Sequence, residues 1–121
     1  QQQQAGQMYG WLVQWGLPQT GSGDPMAWVS DDHAKAHTRP DGTMPGMATR
    51  EQLDELRAAD GVAAERLFLT LMIAHHEGGV AMADAALAQA RTTEVRTLAA
   101  AISSAQASEI TLLQRMLDER R

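Results

Sequence analysis

The distribution of proline is the feature that most constrains the fold of this chain. All four prolines lie between Leu17 and Gly46, and none occurs from Thr49 to the end of the 121 residues. Proline breaks the interior of a helix, whereas the apolar residues after position 49 recur at intervals of three and four, as on one face of a helix. The sequence therefore predicts an all-α chain in which a loop separates a first helix from a helical remainder.

Start and stop signals divide the chain further. The predicted segments are an N-terminal helix over residues 1–16, a loop over 17–48 and a helical domain over 49–121. Within the helical domain, a Thr-x-x-Gln capping box opens the first helix at Thr49, and Asp60–Gly61 closes it. We expect longer helices over 62–89 and 93–117, with Gly78–Gly79 as either a weak point or a site of close approach.

The two ends of the chain resemble each other. When Gln1 is placed on Gln106, a Gln-x-x-[Gln/Glu] pair is followed in both segments by apolar residues at helical spacing. This match leads us to interpret residues 1–16 as the tail of a preceding copy of the same unit. The alternative is an ordinary N-terminal helix that is rich in glutamine. A preceding repeat or a second copy of the chain is accordingly an expected partner.

Composition excludes several classes of function. The chain has no cysteine, which excludes disulfide scaffolds, zinc fingers and iron–sulfur sites because each needs thiolates. Its 15 acidic and 10 basic residues give a net charge of −5, and the basic ones are scattered, so nucleic acid is not an expected partner. The longest nearly apolar run, 67–74, falls far short of the ~20 residues that span a bilayer. Any metal site would then use histidine, carboxylates and the seven methionines.

One face of the long predicted helix carries the residues best suited to chemistry. With Met72 at zero and roughly 100° per residue, His76 falls at about 40°, His75 at about 300° and Met82 at about 280°. These four side chains thus share an arc of about 120°. The same face is the apolar one, so we expect at least one histidine to point inward and to need a partner.

The last predicted helix carries a matching anomaly. Gln106 and Glu109 fall within its apolar stripe rather than on its polar side. Because a buried glutamate without a partner is driven towards its neutral form, we expect Glu109 to face one of the histidines across the bundle. Such a His–Glu–Gln network can fix the register of the helices without any metal, and this interpretation stays open beside a metal site.

The ligand types favour copper if a metal is bound. Imidazole with thioether suits copper, and methionine favours Cu(I). A di-iron bundle would need glutamate at position 72 or 73, where this chain has Met72 and Ile73. The loop adds two weaker pairs of candidate ligands, which are His33 with His37 and Met44 with Met47. The methionine pair has a simpler interpretation as a hydrophobic latch on the bundle.

Taken together, these motifs resemble those of the DUF305 family. The matching motifs are Met44-Pro-Gly-Met47, Met72-Ile-x-His75-His76-x-Gly-x-x-x-Met82 and Gln106-x-x-Glu109, and the resemblance covers about 44–117. It implies a ferritin-like four-helix bundle, to which the proline and glycine positions add the long loop after the first helix, and a secreted or periplasmic location. It also implies copper handling through Met72, His75, His76 and Met82, with Met44 and Met47 as further ligands.

The favoured hypothesis is a non-catalytic bundle that sequesters or transfers copper outside the cytoplasm. No nucleophile with a His–Asp arrangement is evident, so we do not expect an enzyme. A single copper site requires Met72, Met82 and a histidine nitrogen to converge on one point, with Glu109 as an optional further ligand. The alternative is a structural or interaction module without metal, in which the tryptophans form a docking surface. A redox enzyme is a third hypothesis, but the sequence shows neither an open metal position nor a substrate pocket.

Overall fold

A computed structural model describes residues 1–23, 27–29 and 44–121 of the chain. These residues form four helices, which are α1 (Gln2–Gln14), α2 (Arg50–Ala58), α3 (Gly61–Gln89) and α4 (Thr93–Asp118). The prediction of an all-α fold is confirmed. Within the described residues, each helix is too short or too polar to cross a bilayer. The predicted histidine pair His33 and His37 lies outside the described residues.

The chain divides into two compact units, residues 1–35 and 36–121. The first contains α1, which buries none of its side chains. Trp11 and Trp15 stack on this helix with their ring centroids 6.0 Å apart. The helix ends in a Schellman motif, because Gly16 adopts a φ of 67° and the next N–H, from Leu17, bonds to the Leu12 carbonyl at 2.8 Å. The interpretation of α1 as the tail of a preceding copy stays a prediction.

The second unit begins with the predicted capping box. The Thr49 N–H donates to the Gln52 side chain at 2.8 Å, and the Gln52 N–H donates to the Thr49 hydroxyl at 3.2 Å. Two of the unpaired N–H groups at the start of α2 are thereby satisfied. The box fixes the start of α2 and thus the direction in which the preceding residues approach the bundle.

Helices α3 and α4 form an antiparallel hairpin joined by residues 90–92. Its cross-helix contacts run in opposite order along the two helices and pair Glu65 with Arg120, His76 with Glu109 and Asp84 with Ser103. The core of the hairpin is Leu69, Ile73 and Leu117, with Ile110, Leu113 and Met116 packed against it. At the connection, the Arg96 guanidinium donates to the Leu87 carbonyl at 2.6 Å and so satisfies an acceptor in the last turn of α3. This hairpin supports the site described below.

Candidate functional site

The segment Met44–Met47 folds into a type II turn. The Met47 N–H donates to the Met44 carbonyl at 3.1 Å, and Gly46 at the third position of the turn has a φ of 85°. Pro45 occupies the second position, where its fixed φ suits this turn, and only glycine takes the positive φ of the third position without strain. The Pro-Gly pair therefore determines the local shape of the segment that carries Met47.

This turn lies directly against the backbone of α3. A Cβ atom added to Gly46 would come within 2.7 Å of the Ala74 carbonyl oxygen, and one added to Gly78 would collide with the Pro45 carbonyl. The His75 ring adds a polar link, with Nδ1 at 3.3 Å from the Gly46 carbonyl oxygen. Because the carbonyl can only accept, His75 donates through a protonated Nδ1. Gly78 is thus a site of close approach, as one of the two interpretations predicted.

The docked turn closes one side of a pocket of about 300 Å³. Three of the candidate ligands, Met47, Met72 and His75, line this pocket. The rest of the wall is apolar and comes from Ala48, α2 and α3, with the side chains Leu53, Leu56, Phe68 and Leu71. His75 Nε2 has no hydrogen-bond partner among the described residues. The residues that line the pocket thus include two methionines and one histidine among apolar side chains.

His76 interacts with α4 instead of the pocket. Its Nδ1 lies 2.8 Å from the Met72 carbonyl oxygen and its Nε2 lies 2.6 Å from Glu109 Oε2. The expected contact between Glu109 and a histidine is confirmed, with His76 as the partner. The expectation that Glu109 is buried is wrong, because its side chain is 58% exposed while that of His76 is 11% exposed. Glu109 lies at the edge of the helix seam, where its carboxylate keeps contact with water.

Gln106, the other polar residue of the predicted network, lies against Gly79. A Cβ atom at Gly79 would overlap the Gln106 side-chain amide. The two adjacent glycines of α3 thus accommodate different neighbours, since Gly78 faces the turn and Gly79 faces α4.

The seven candidate ligands do not converge on one point. They divide into a pocket group of Met47, Met72 and His75, a hydrogen-bonded pair of His76 and Glu109, and two methionines outside both, Met44 and Met82. Met82 follows Met72 by ten residues, which separates them by about 15 Å along the helix axis. Two methionine side chains and one ion cannot bridge that distance. The helical wheel placed them on one face but carries no information about this axial separation.

Within the described residues, no three histidine, aspartate or glutamate side chains are grouped as a metal site. A metal site in this part of the chain would therefore depend on thioethers. Sequence reasoning missed the pocket itself and its apolar wall of Leu53, Leu56 and Phe68. The sequence did contain one signal for the pocket: a glycine in the Pro-Gly turn and another in the middle of α3. Glycine at both positions allows two backbones to touch.

Comparisons with known proteins agree with this architecture. A DUF305 protein from Streptomyces coelicolor, named as a candidate secreted protein, is 36% identical with a TM-score of 0.77 over 95% of this chain. A DUF305 fragment from Deinococcus radiodurans is 34% identical with a TM-score of 0.68 over 98% of this chain. The chain spans 64% and 68% of the lengths of these two neighbours.

No curated protein matches the sequence. The sequence model of the family described as a domain of unknown function, DUF305, matches residues 1–117 and so includes α1 as well as the second unit. Both the family match and the solved structures thus point to the same assignment, and the chain belongs to the DUF305 family.

Proposed function

We propose that this chain binds copper as Cu(I) in the pocket beneath the docked turn, and that it holds or passes on the ion outside the cytoplasm without catalysing a reaction. The observation that carries the proposal is the position of Met47, Met72 and His75 around one pocket. Two thioethers and an imidazole form a soft, neutral donor set, which suits Cu(I) better than zinc, magnesium or calcium.

The hydrogen bond of His75 supports its role as a ligand. Its Nδ1 donates to the Gly46 carbonyl, which leaves the lone pair of Nε2 for the ion. Histidines that ligate metals usually donate their other ring nitrogen to a carbonyl or carboxylate, because this fixes the tautomer and the ring orientation. Here the bond also joins the histidine to the turn that carries Met47, so the positions of the two ligands are coupled.

The apolar wall supports the choice of ion. Leu53, Leu56 and Phe68 offer no oxygen ligands to Mg²⁺ or Ca²⁺, which are hard cations that bind at oxygen-rich sites. The electrostatic cost of placing an ion beside this apolar wall is smaller for a singly charged ion held by thioethers than for a divalent ion. The name of the Streptomyces neighbour, a candidate secreted protein, supports the extracytoplasmic location in this proposal.

In this proposal the other predicted ligands have different roles. His76 and Glu109 tie α3 to α4 and so hold Met72 and His75 in place, and His76 also donates to the Met72 carbonyl. Met44 contributes its carbonyl to the turn, and Met82 lies too far along α3 to share the ion.

Competition for Cu(I) against a chromophoric chelator tests the proposal on the full chain. A Met72→Leu, His75→Gln double variant is expected to lose copper to micromolar chelator under conditions in which the unmodified chain retains it. Met82→Leu is the matched control, because it removes a thioether of the same helix that is outside the pocket. If the unmodified chain retains no copper, or if Met82→Leu costs as much as the double variant, the proposal is wrong.

A second candidate function, an interaction module without metal, is favoured by the direct bond between His76 and Glu109. Both ring nitrogens of His76 are already used within the hairpin. The first unit exposes an apolar surface that a partner could cover, with Met8, Tyr9, Val13, Trp15, Leu17 and Trp28 each at least 41% exposed. This alternative predicts that the chain does not retain copper and that changes to this surface alter association with a partner.

A further inference from the structure

We infer that Met47 is an oxidation-sensitive thioether whose conversion to the sulfoxide weakens copper binding in the pocket; this switch rests on the proposed function, whereas the sensitivity of Met47 does not. Met47 is 46% exposed, whereas Met72, the other thioether of the pocket, is only partly exposed. An oxidant that arrives from solvent therefore reaches Met47 before Met72, because oxidation of sulfur side chains follows their accessibility.

The turn allows this modification without damage to the bundle. Gly46 holds the backbone against α3, through its contact with Gly78 and through the hydrogen bond from His75. These contacts involve backbone atoms and the imidazole, not the thioether of Met47. An added oxygen on Met47 thus changes the pocket, while the contacts of Gly46 with Gly78 and with His75 remain.

A peroxide supplies the oxygen in this reaction. The lone pair of Met47 Sδ attacks one peroxide oxygen and the O–O bond breaks. The proton of the transferred oxygen passes to the leaving hydroxide, which departs as water. Sulfur is oxidised by two electrons to the sulfoxide while the peroxide is reduced, and methionine sulfoxide reductases reverse the change.

The sulfoxide fits poorly in the pocket. Leu53, Leu56 and Phe68 offer no donor to its oxygen, and a polar group held against an apolar wall without a hydrogen bond is unfavourable. The half-exposed side chain can turn to water, which leaves Met72 and His75 as the remaining ligands. We therefore expect the oxidised chain to bind Cu(I) more weakly.

The experiment treats the full, copper-free chain with graded hydrogen peroxide, removes the peroxide, and locates the sulfoxides by fragmentation mass spectrometry. Met47 is expected to oxidise at least about threefold faster than Met72, and at a rate similar to that of Met8, which is 45% exposed. Cu(I) affinity, measured by chelator competition, is expected to fall about tenfold in step with the sulfoxide at Met47.

Two variants assign the loss to one residue. Met8→Leu removes an equally exposed thioether from the other unit, and its copper affinity should still fall after peroxide. Met47→Leu starts with weaker binding, and its affinity should fall much less over the same range of peroxide, since only the slower oxidation of Met72 remains. Oxidation of Met72 as fast as Met47, or an undiminished peroxide effect in Met47→Leu, would overturn the inference. Absence of copper binding before treatment would refute the proposed function and the switch. The order in which the methionines oxidise is measured on the copper-free chain, so it would still test the sensitivity of Met47.

Discussion

Adjacent glycines in α3 should respond oppositely to the same substitution. A Cβ atom at Gly78 would meet backbone atoms of the docked turn, with the Cα of Gly46 at 3.1 Å. A Cβ atom at Gly79 would meet the amide of Gln106, which is the far end of a flexible side chain. Backbone that is fixed by a turn cannot move aside cheaply, whereas the amide can rotate towards solvent.

The expected magnitudes follow from three terms. Alanine is a better helix former than glycine by about 1 kcal/mol, and this gain applies at both positions. At Gly78, overlap with the turn costs about 1–3 kcal/mol. If the turn lifts away, the hydrogen bond from His75 to Gly46 is lost as well, which costs about 1 kcal/mol. Gly78→Ala should therefore be less stable than Gly79→Ala by about 2 kcal/mol, with Gly79→Ala equal to or above the unmodified chain.

Urea denaturation followed by far-UV circular dichroism measures this difference. At this chain length the expected separation of the two unfolding midpoints is about 1 M urea. The same variants should differ in copper retention, because only Gly78→Ala displaces Met47 from the pocket. If Gly78→Ala proves as stable as Gly79→Ala, the turn does not lie against α3 in the way the pocket requires.

Three further substitutions test single contacts. Gly46→Ala places a side chain at a φ of 85° and within 2.7 Å of the Ala74 carbonyl oxygen. The backbone strain and the overlap together should destabilise the second unit by about 2–5 kcal/mol, measured by urea denaturation; an effect near zero would contradict the type II turn. Thr49→Ala removes half of the capping box and should cost about 1 kcal/mol, with Thr49→Ser as the control that restores the hydroxyl and most of the stability. Glu109→Gln should lower the free energy of unfolding by less than about 1 kcal/mol, because the glutamate is mostly exposed. A loss of several kcal/mol in that variant would show that Glu109 is buried in solution.

The helices could be predicted from sequence because their causes are local. The helix expected over 62–89 is observed as Gly61–Gln89, and the one expected over 93–117 as Thr93–Asp118. Caps, proline positions and apolar spacing act over a few residues, and each is visible in a single sequence. The capping box at Thr49 formed as expected for the same reason, since both of its hydrogen bonds join residues three positions apart.

The site could be predicted only in part because its geometry is not local. Angular position around the helix correctly indicated that Met72 and His75 share a face. It does not give the distance along the helix axis, and so it grouped Met82 with them. The pocket depends on contact between Gly46 and Gly78, which are 32 residues apart in the chain. Hydrophobic periodicity does not encode such a pairing, because the contact is made by backbone where both residues lack a side chain.

The two interpretations of the histidine pair involve different faces of one helix. Consecutive residues differ by roughly 100° around an α-helix, so His75 and His76 face different neighbours, and their rings lie 6.3 Å apart at an interplanar angle of 78°. His76 bonds to α4 and helps to fix the register of the two helices, while His75 bonds to the turn and lines the pocket. A network that fixes helix register and a metal site can therefore coexist on one helix. Single substitutions distinguish the two roles. His75→Gln should abolish copper retention with little effect on hairpin stability. His76→Gln should weaken the α3–α4 contact and should affect copper only through the position of Met72, whose carbonyl accepts from His76.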